Sequence, residues 1–216
     1  MSEAASAHGR VARIQDRALV RDVILRDGST LQLRASTPAD RDEIKAFYDG
    51  LSQESRFFRF RGYPRADLAA RVEADARGVD RFALIGRHCG RVVACASYAA
   101  LREKGVAEIA FAVADEYQHL GIGTMLLEQL AASAVARGLH RFTAEVMAEN
   151  RKMLGVFEHA GFAMSRVGSG SEVTVSLDIT GQDPVTLEPL RISSSSSPAQ
   201  PSKDMSSPGR ATNCMP

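Results

Sequence analysis

The chain has 216 residues, with 27 Lys+Arg against 26 Asp+Glu and a formal net charge of +1. That length suits one globular domain with some spare chain, and the balanced charge supplies no overall field to gather the protein onto nucleic acid or an anionic membrane. Cys89, Cys95 and Cys214 form no C-x-x-C pair, so they read as free thiols in a reducing compartment and not as a disulfide framework or a zinc site; no metal is expected.

Residues 1–20 read as a flexible segment. They carry no apolar core of a secretory signal, and nowhere does the chain reach the roughly 18 consecutive apolar residues of a membrane span. The default is a soluble, cytoplasmic protein. A single domain is expected over 21–182, followed by a disordered Ser/Pro-rich tail over 183–216 that cannot bury enough apolar surface to offset its ordering entropy. The domain opens with VILRDGSTLQLRAS, two alternating runs around Asp27-Gly28, a strong hairpin signal. Thr37 then serves as helix N-cap, with Pro38 at the first helical position and Asp40 in the first turn. Ile44, Phe47, Tyr48 and Leu51 follow at helical spacing. Arg56, Arg59, Arg61 and Arg65 interleave with Phe57, Phe58 and Phe60. With no basic net charge, that run reads as an amphipathic helix lining a groove, or as a solvated face, and not as a nucleic-acid surface.

A second helix is expected over 65–78, ended by Gly78. RFALIGRHCGRVVACASYAAL reads as two strands turning at Cys89-Gly90, and VAEIAFAV as a third after the Lys104-Gly105 turn. RFTAEVM is a strand, ENRKMLGVFEHAG a helix, and FAMSRV and EVTVSLDI are strands turning at GSGS. An antiparallel meander followed by β-α-β-α-β-β implies an α/β (α+β) fold: a mixed, mostly antiparallel sheet flanked by helices, with at least one parallel crossover.

Two glycines, Gly121 and Gly123, sit where the apolar helix pattern of Ile122, Leu126 and Leu130 begins, directly after a strand. A helix start exposes about four unpaired N–H groups and about half a positive charge. Bare glycine there suits a phosphate. The P-loop pattern is absent, since no Gly-Lys-Ser/Thr occurs. A dinucleotide fingerprint is broken by Leu126 at its third position, although Glu145 stands at about the distance of a ribose carboxylate.

The loop Gln118-x-x-Gly121-x-Gly123, entered from AEIAFAV and followed by Asn150 and Gly161-Phe162, resembles the GNAT superfamily of acyl-CoA-dependent N-acyltransferases over about Leu84 to Ile179. The segment LRDGSTLQLRASTPADRDEIKAFYDGLSQESRFFRF further resembles the start of bacterial protein-lysine acetyltransferase domains of the kind that modify acyl-CoA synthetases. Such domains are often fused to a cyclic-nucleotide-binding or synthetase-like regulatory domain, for which this chain leaves no room. The resemblance implies acetyl-CoA as acyl donor. It also implies a pyrophosphate site on the backbone of Gln118, Leu120, Gly121, Ile122, Gly123 and Thr124, and a pantetheine contact at Val113 and Asn150. A branched side chain at Gly123 is then expected to displace the pyrophosphate.

Amine acylation needs a neutral nitrogen. A lysine of pKa about 10.4 is neutral in only about one molecule in 2,500 at pH 7, a handicap of about 4.6 kcal/mol. A general base offsets it. Glu108 interrupts an apolar strand, and the resembling lysine acetyltransferases place their base at the matching glutamate. Otherwise it is a solvated strand-face carboxylate. Many GNAT enzymes carry a proton-donating tyrosine where this chain has Phe157. His119 reads as exposed and dispensable, His140 as structural and Cys95 as a core residue. Three functions follow: a protein-lysine acetyltransferase, an enzyme acting on a small amine with the same loop and base, or an acyl-CoA sensor without turnover.

Overall fold

The alternation at 23–36 folds as a hairpin in the computed structural model, which describes residues 20–60, 81–168 and 170–181. The flexible segment expected at the N-terminus (its residues 1–19), the helix expected over 65–78 and the tail over 183–216 lie outside the described residues. Strand β1 (Arg21–Ile24) pairs antiparallel with β2 (Thr30–Ala35). Gly28 takes φ 83° in the turn, a left-handed conformation that a Cβ disfavours. Asp27 closes the turn by accepting from the Ser29 N–H at 3.0 Å and from its hydroxyl at 2.7 Å.

Pro38–Asp40 forms a 3-10 turn behind Thr37 and leads into α1 (Arg41–Gly50). Asp40 is the pin of this junction and is only 5% exposed. Its carboxylate accepts from the Thr37 N–H (2.7 Å), the Thr37 hydroxyl (2.8 Å) and both arms of the Arg34 guanidinium (2.8 and 2.5 Å). The Arg34 hydrogen bonds, assisted by those from Thr37, outweigh its desolvation and hold its pKa down at about 2. Ile44, Phe47 and Tyr48 are buried with Leu51, Ile85, Val92 and Cys95 in one apolar cluster, as their spacing implies. Helix α2 (Gln53–Phe60) follows.

Strands β3 (Arg81–His88), β4 (Arg91–Ala100) and β5 (Val106–Val113) form the expected antiparallel meander. Its first turn has positive φ at both Cys89 (47°) and Gly90 (78°), the geometry that matches strand twist in two-residue hairpins. After a 3-10 turn at Asp115–Tyr117 come α3 (Ile122–Val135), β6 (Arg141–Met147), α4 (Arg151–His159), β7 (Ala163–Val167) and β8 (Glu172–Asp178). The open sheet of eight strands runs β1-β2-β3-β4-β5-β6-β8-β7, and β5–β6 is its parallel pair.

Ile122, Leu126, Leu127 and Leu130 of α3 are at most 1% exposed and pack with Phe142, Phe157 and Leu177 in the larger core cluster. Ala112 packs on the α1 cluster while Phe111 and Val113 pack on the α3 cluster, so alternation along β5 assigns successive side chains to opposite faces. Cys95 is a buried free thiol. Cys214 lies outside the described residues. Among the described residues no helix is long and apolar enough to cross a membrane.

Candidate active site

The parallel pairing of β5 and β6 lasts three rungs, Val106–Arg141, Ala107–Phe142 and Glu108–Thr143. Past the third rung the strands part, while β5 stays on β4 as far as Val113 and β6 stays on β8 as far as Met147. The gap between them is a cleft of about 770 Å³. It is lined by Phe111 and Val113 from one face of β5 and by Glu108, Ala110 and Ala112 from the other, so it reaches through the sheet. The edge of β5 beyond Glu108 faces this space without a β6 partner, which leaves backbone N–H and C=O groups for an extended, amide-bearing ligand.

One end of the cleft is the start of α3. Gly121 is its N-cap at φ 88°, no side chain caps it, and its first turn holds no acidic residue. The first amides of a helix with 14 residues are therefore open to an anion. Gly121, Ile122, Gly123 and Thr124 all line the cleft there. Leu120 instead packs its side chain on the core, so only its backbone belongs to the loop.

The two glycines have separate causes. Gly121 is required by its positive φ. At Gly123 an added Cβ would lie 2.9 Å from Val156 Cγ2 on α4, so glycine is there because two helices approach closely. The clash expected with a pyrophosphate is, in the structure, first a clash with Val156.

Gln118 braces the mouth of the cleft. Its amide nitrogen donates to the Val113 carbonyl and to Ser55 Oγ, both at 3.2 Å, and its oxygen accepts from Lys152 Nζ at 2.8 Å. Ser55 and Ser52 donate their hydroxyls to Asp115 Oδ1 at 2.7 Å, and the Ser52 N–H donates to Asp115 Oδ2 at 3.0 Å. Burial opposes ionisation of Asp115, yet these donors together hold its pKa below the usual carboxylate value. The carbonyl of Val113, expected to meet a ligand, is thus shared with a side chain of the chain itself. Asn150 is the N-cap of α4, accepting the Met153 N–H at 3.1 Å, and it lines the cleft.

Glu108 is exposed and lines the cleft at the last paired rung. Glu54, Ser55, Phe58 and Arg59 of α2 line it too, so α2 forms a groove wall as one reading of the Arg/Phe run expected. Arg61 and Arg65 lie outside the described residues. Phe157 is 1% exposed with its ring edge-on to Phe111 at 6.3 Å, so that position offers no proton. His119 is exposed in the loop at φ 66° and lines the cleft. The N–H of His140 donates to the Gly105 carbonyl at 2.8 Å, and its ring occupies the space a side chain at Gly105 would need. Sequence reasoning missed Lys152, Ser52, Ser55 and Arg26. Ser55 and Gln118 are distant in the chain, and no local pattern announces that contact.

A protein-family model described as acetyltransferase (GNAT) family matches residues 44–162. The chain belongs to the GNAT acetyltransferase family. A protein named acetyltransferase Pat from Mycolicibacterium smegmatis is 31% identical over 173 residues, covering 77% of this chain and 51% of its own. This GNAT chain therefore spans about half the length of that relative. Acetyltransferase PA5475 from Pseudomonas aeruginosa is 30% identical over 148 residues, covering 66% of this chain and 80% of its own. Among solved structures, the GNAT domain of S. lividans PAT superposes with a TM-score of 0.67 at 36% identity, over 74% of this chain and 96% of that one.

Proposed function

We propose that this GNAT chain is an acetyl-CoA-dependent N-acetyltransferase whose acceptor is a primary amine, a lysine side chain on a protein such as an acyl-CoA synthetase. The observation that carries this reading is the position of Glu108. It stands at the last β5–β6 rung, where the cleft opens, on the sheet face opposite the one on which Phe111 and Val113 pack with α3. Similarity to Pat proteins supports a protein acceptor. The donor's pyrophosphate would sit on the open amides of Ile122, Gly123 and Thr124 behind Gly121, in the loop begun by Gln118 and Leu120. Its pantetheine arm would follow the free edge of β5 near Val113 and pass Asn150.

Glu108 takes a proton from the incoming ammonium. The neutral nitrogen attacks the thioester carbonyl directly, the new C–N bond forms, and the C–S bond breaks as the thiolate leaves. With Phe157 in place of a tyrosine, the thiolate is protonated by the proton the attacking nitrogen sheds. The test is incubation with radiolabelled acetyl-CoA, once with an acyl-CoA synthetase and once with a panel of small amines. Label in the protein is expected. Label in amines alone would assign a small-molecule acceptor. Tight binding with no transfer would make the chain an acyl-CoA sensor, the reading that buried Phe157 favours.

A further inference from the structure

We infer that Arg26, in the β1–β2 turn, is a coenzyme-binding residue that flanks the pyrophosphate site at Gly121. The inference rests on the coenzyme reading above. Leu25 is 3% exposed in the larger core cluster, so the hairpin turn is anchored to the core. The turn is fixed by hydrogen bonds from Leu25 N–H to the Ser29 carbonyl (2.8 Å) and from Gly28 N–H to the Leu25 carbonyl (2.9 Å). Arg26 leaves this anchored turn toward the glycine loop. Its Nε lies 3.6 Å from where a Cβ on Gly121 would stand, and it lines the cleft.

Among the described residues, Arg26 stands beside a helix start that no carboxylate caps. A guanidinium beside a helix N-terminus meets the positive end of the macrodipole, which is unfavourable unless an anion lies between them. The start of α3 has neither a capping side chain nor an acidic residue in its first turn. Two carboxylates close in sequence are engaged elsewhere: Asp27 by Ser29, and Asp115 by Ser52 and Ser55. Arg26 itself makes no hydrogen bond or ion pair among the described residues. The planar donor fork of arginine matches two oxygens of a phosphate. Coenzyme A offers two such sources, its diphosphate and its 3′-phosphate. Contact with Gly121, whose following amides are the open ones, selects the diphosphate.

Isothermal titration of wild type, Arg26→Ala and Arg26→Lys with CoA and with dephospho-CoA, which keeps the diphosphate and lacks the 3′-phosphate, decides it. Arg26→Ala is expected to weaken both ligands by the same factor, about tenfold. Arg26→Lys should recover part of that loss, and the unfolding temperature should not move, because the side chain is exposed. A loss confined to CoA would overturn the diphosphate assignment, and unchanged affinity for both would overturn the inference altogether. Wild-type protein that binds neither ligand would instead bring down the coenzyme reading on which it rests.

Discussion

Glu108 is a carboxylate on an exposed strand position, and its use depends on what faces it. In the proposed mechanism the acceptor amine would meet it where β5 and β6 part, and Glu108 stands on the last rung before they do. We expect Glu108→Gln to bind acetyl-CoA with wild-type affinity and to lose about 10²- to 10⁴-fold in kcat, the usual worth of a general base. The variant must wait for amine that is already neutral, so its rate should climb about tenfold per pH unit toward the lysine pKa. The wild-type profile should flatten well before that. A variant whose pH–rate profile overlays that of wild type would remove Glu108 from the mechanism.

Elements were easier to read than their contacts. Strand alternation, the Asp27-Gly28 hairpin, the Thr37–Asp40 helix start and the Ile44, Phe47, Tyr48 and Leu51 stripe are local, and all appear where expected. The glycine loop was legible as an open helix start. The cause of Gly123 was not, because Val156 lies on another helix and reaches it only after both pack. We expect Gly123→Ala to destabilise the domain by about 1–3 kcal/mol through overpacking, despite a helix-propensity gain of up to about 1 kcal/mol. In a Val156→Ala background that cost should largely vanish. Urea unfolding of the four proteins in this cycle measures the coupling, and equal costs in both backgrounds would refute the helix–helix explanation.

At the scale of the molecule, the sheet carries α1 on one face and α3 on the other, and the α1 side is fastened by charge. Asp40 ties α1 to Arg34 on β2, while Arg87 of β3 reaches Glu43 at 3.0 Å. The folded pKa of Asp40, about 2, lies below its ordinary 3.8. Its contribution to stability is therefore complete above about pH 4 and is lost as pH falls through about 2. The shift corresponds to about 2 kcal/mol. Asp40→Asn should be less stable at neutral pH and should show a shallower loss of stability between those two values. Denaturant midpoints followed against pH report it, and parallel curves for the two proteins would contradict it.

The brace around Gln118 makes the width of the slot a joint property of three elements. Lys152 belongs to α4, Val113 ends β5 and Ser55 sits on α2, and one amide group touches all three. A ligand that takes the Val113 carbonyl for itself must redirect that amide. One side chain thus joins the end of β5 to both helices at the mouth of the cleft, and Gln118→Ala would release all three contacts at once.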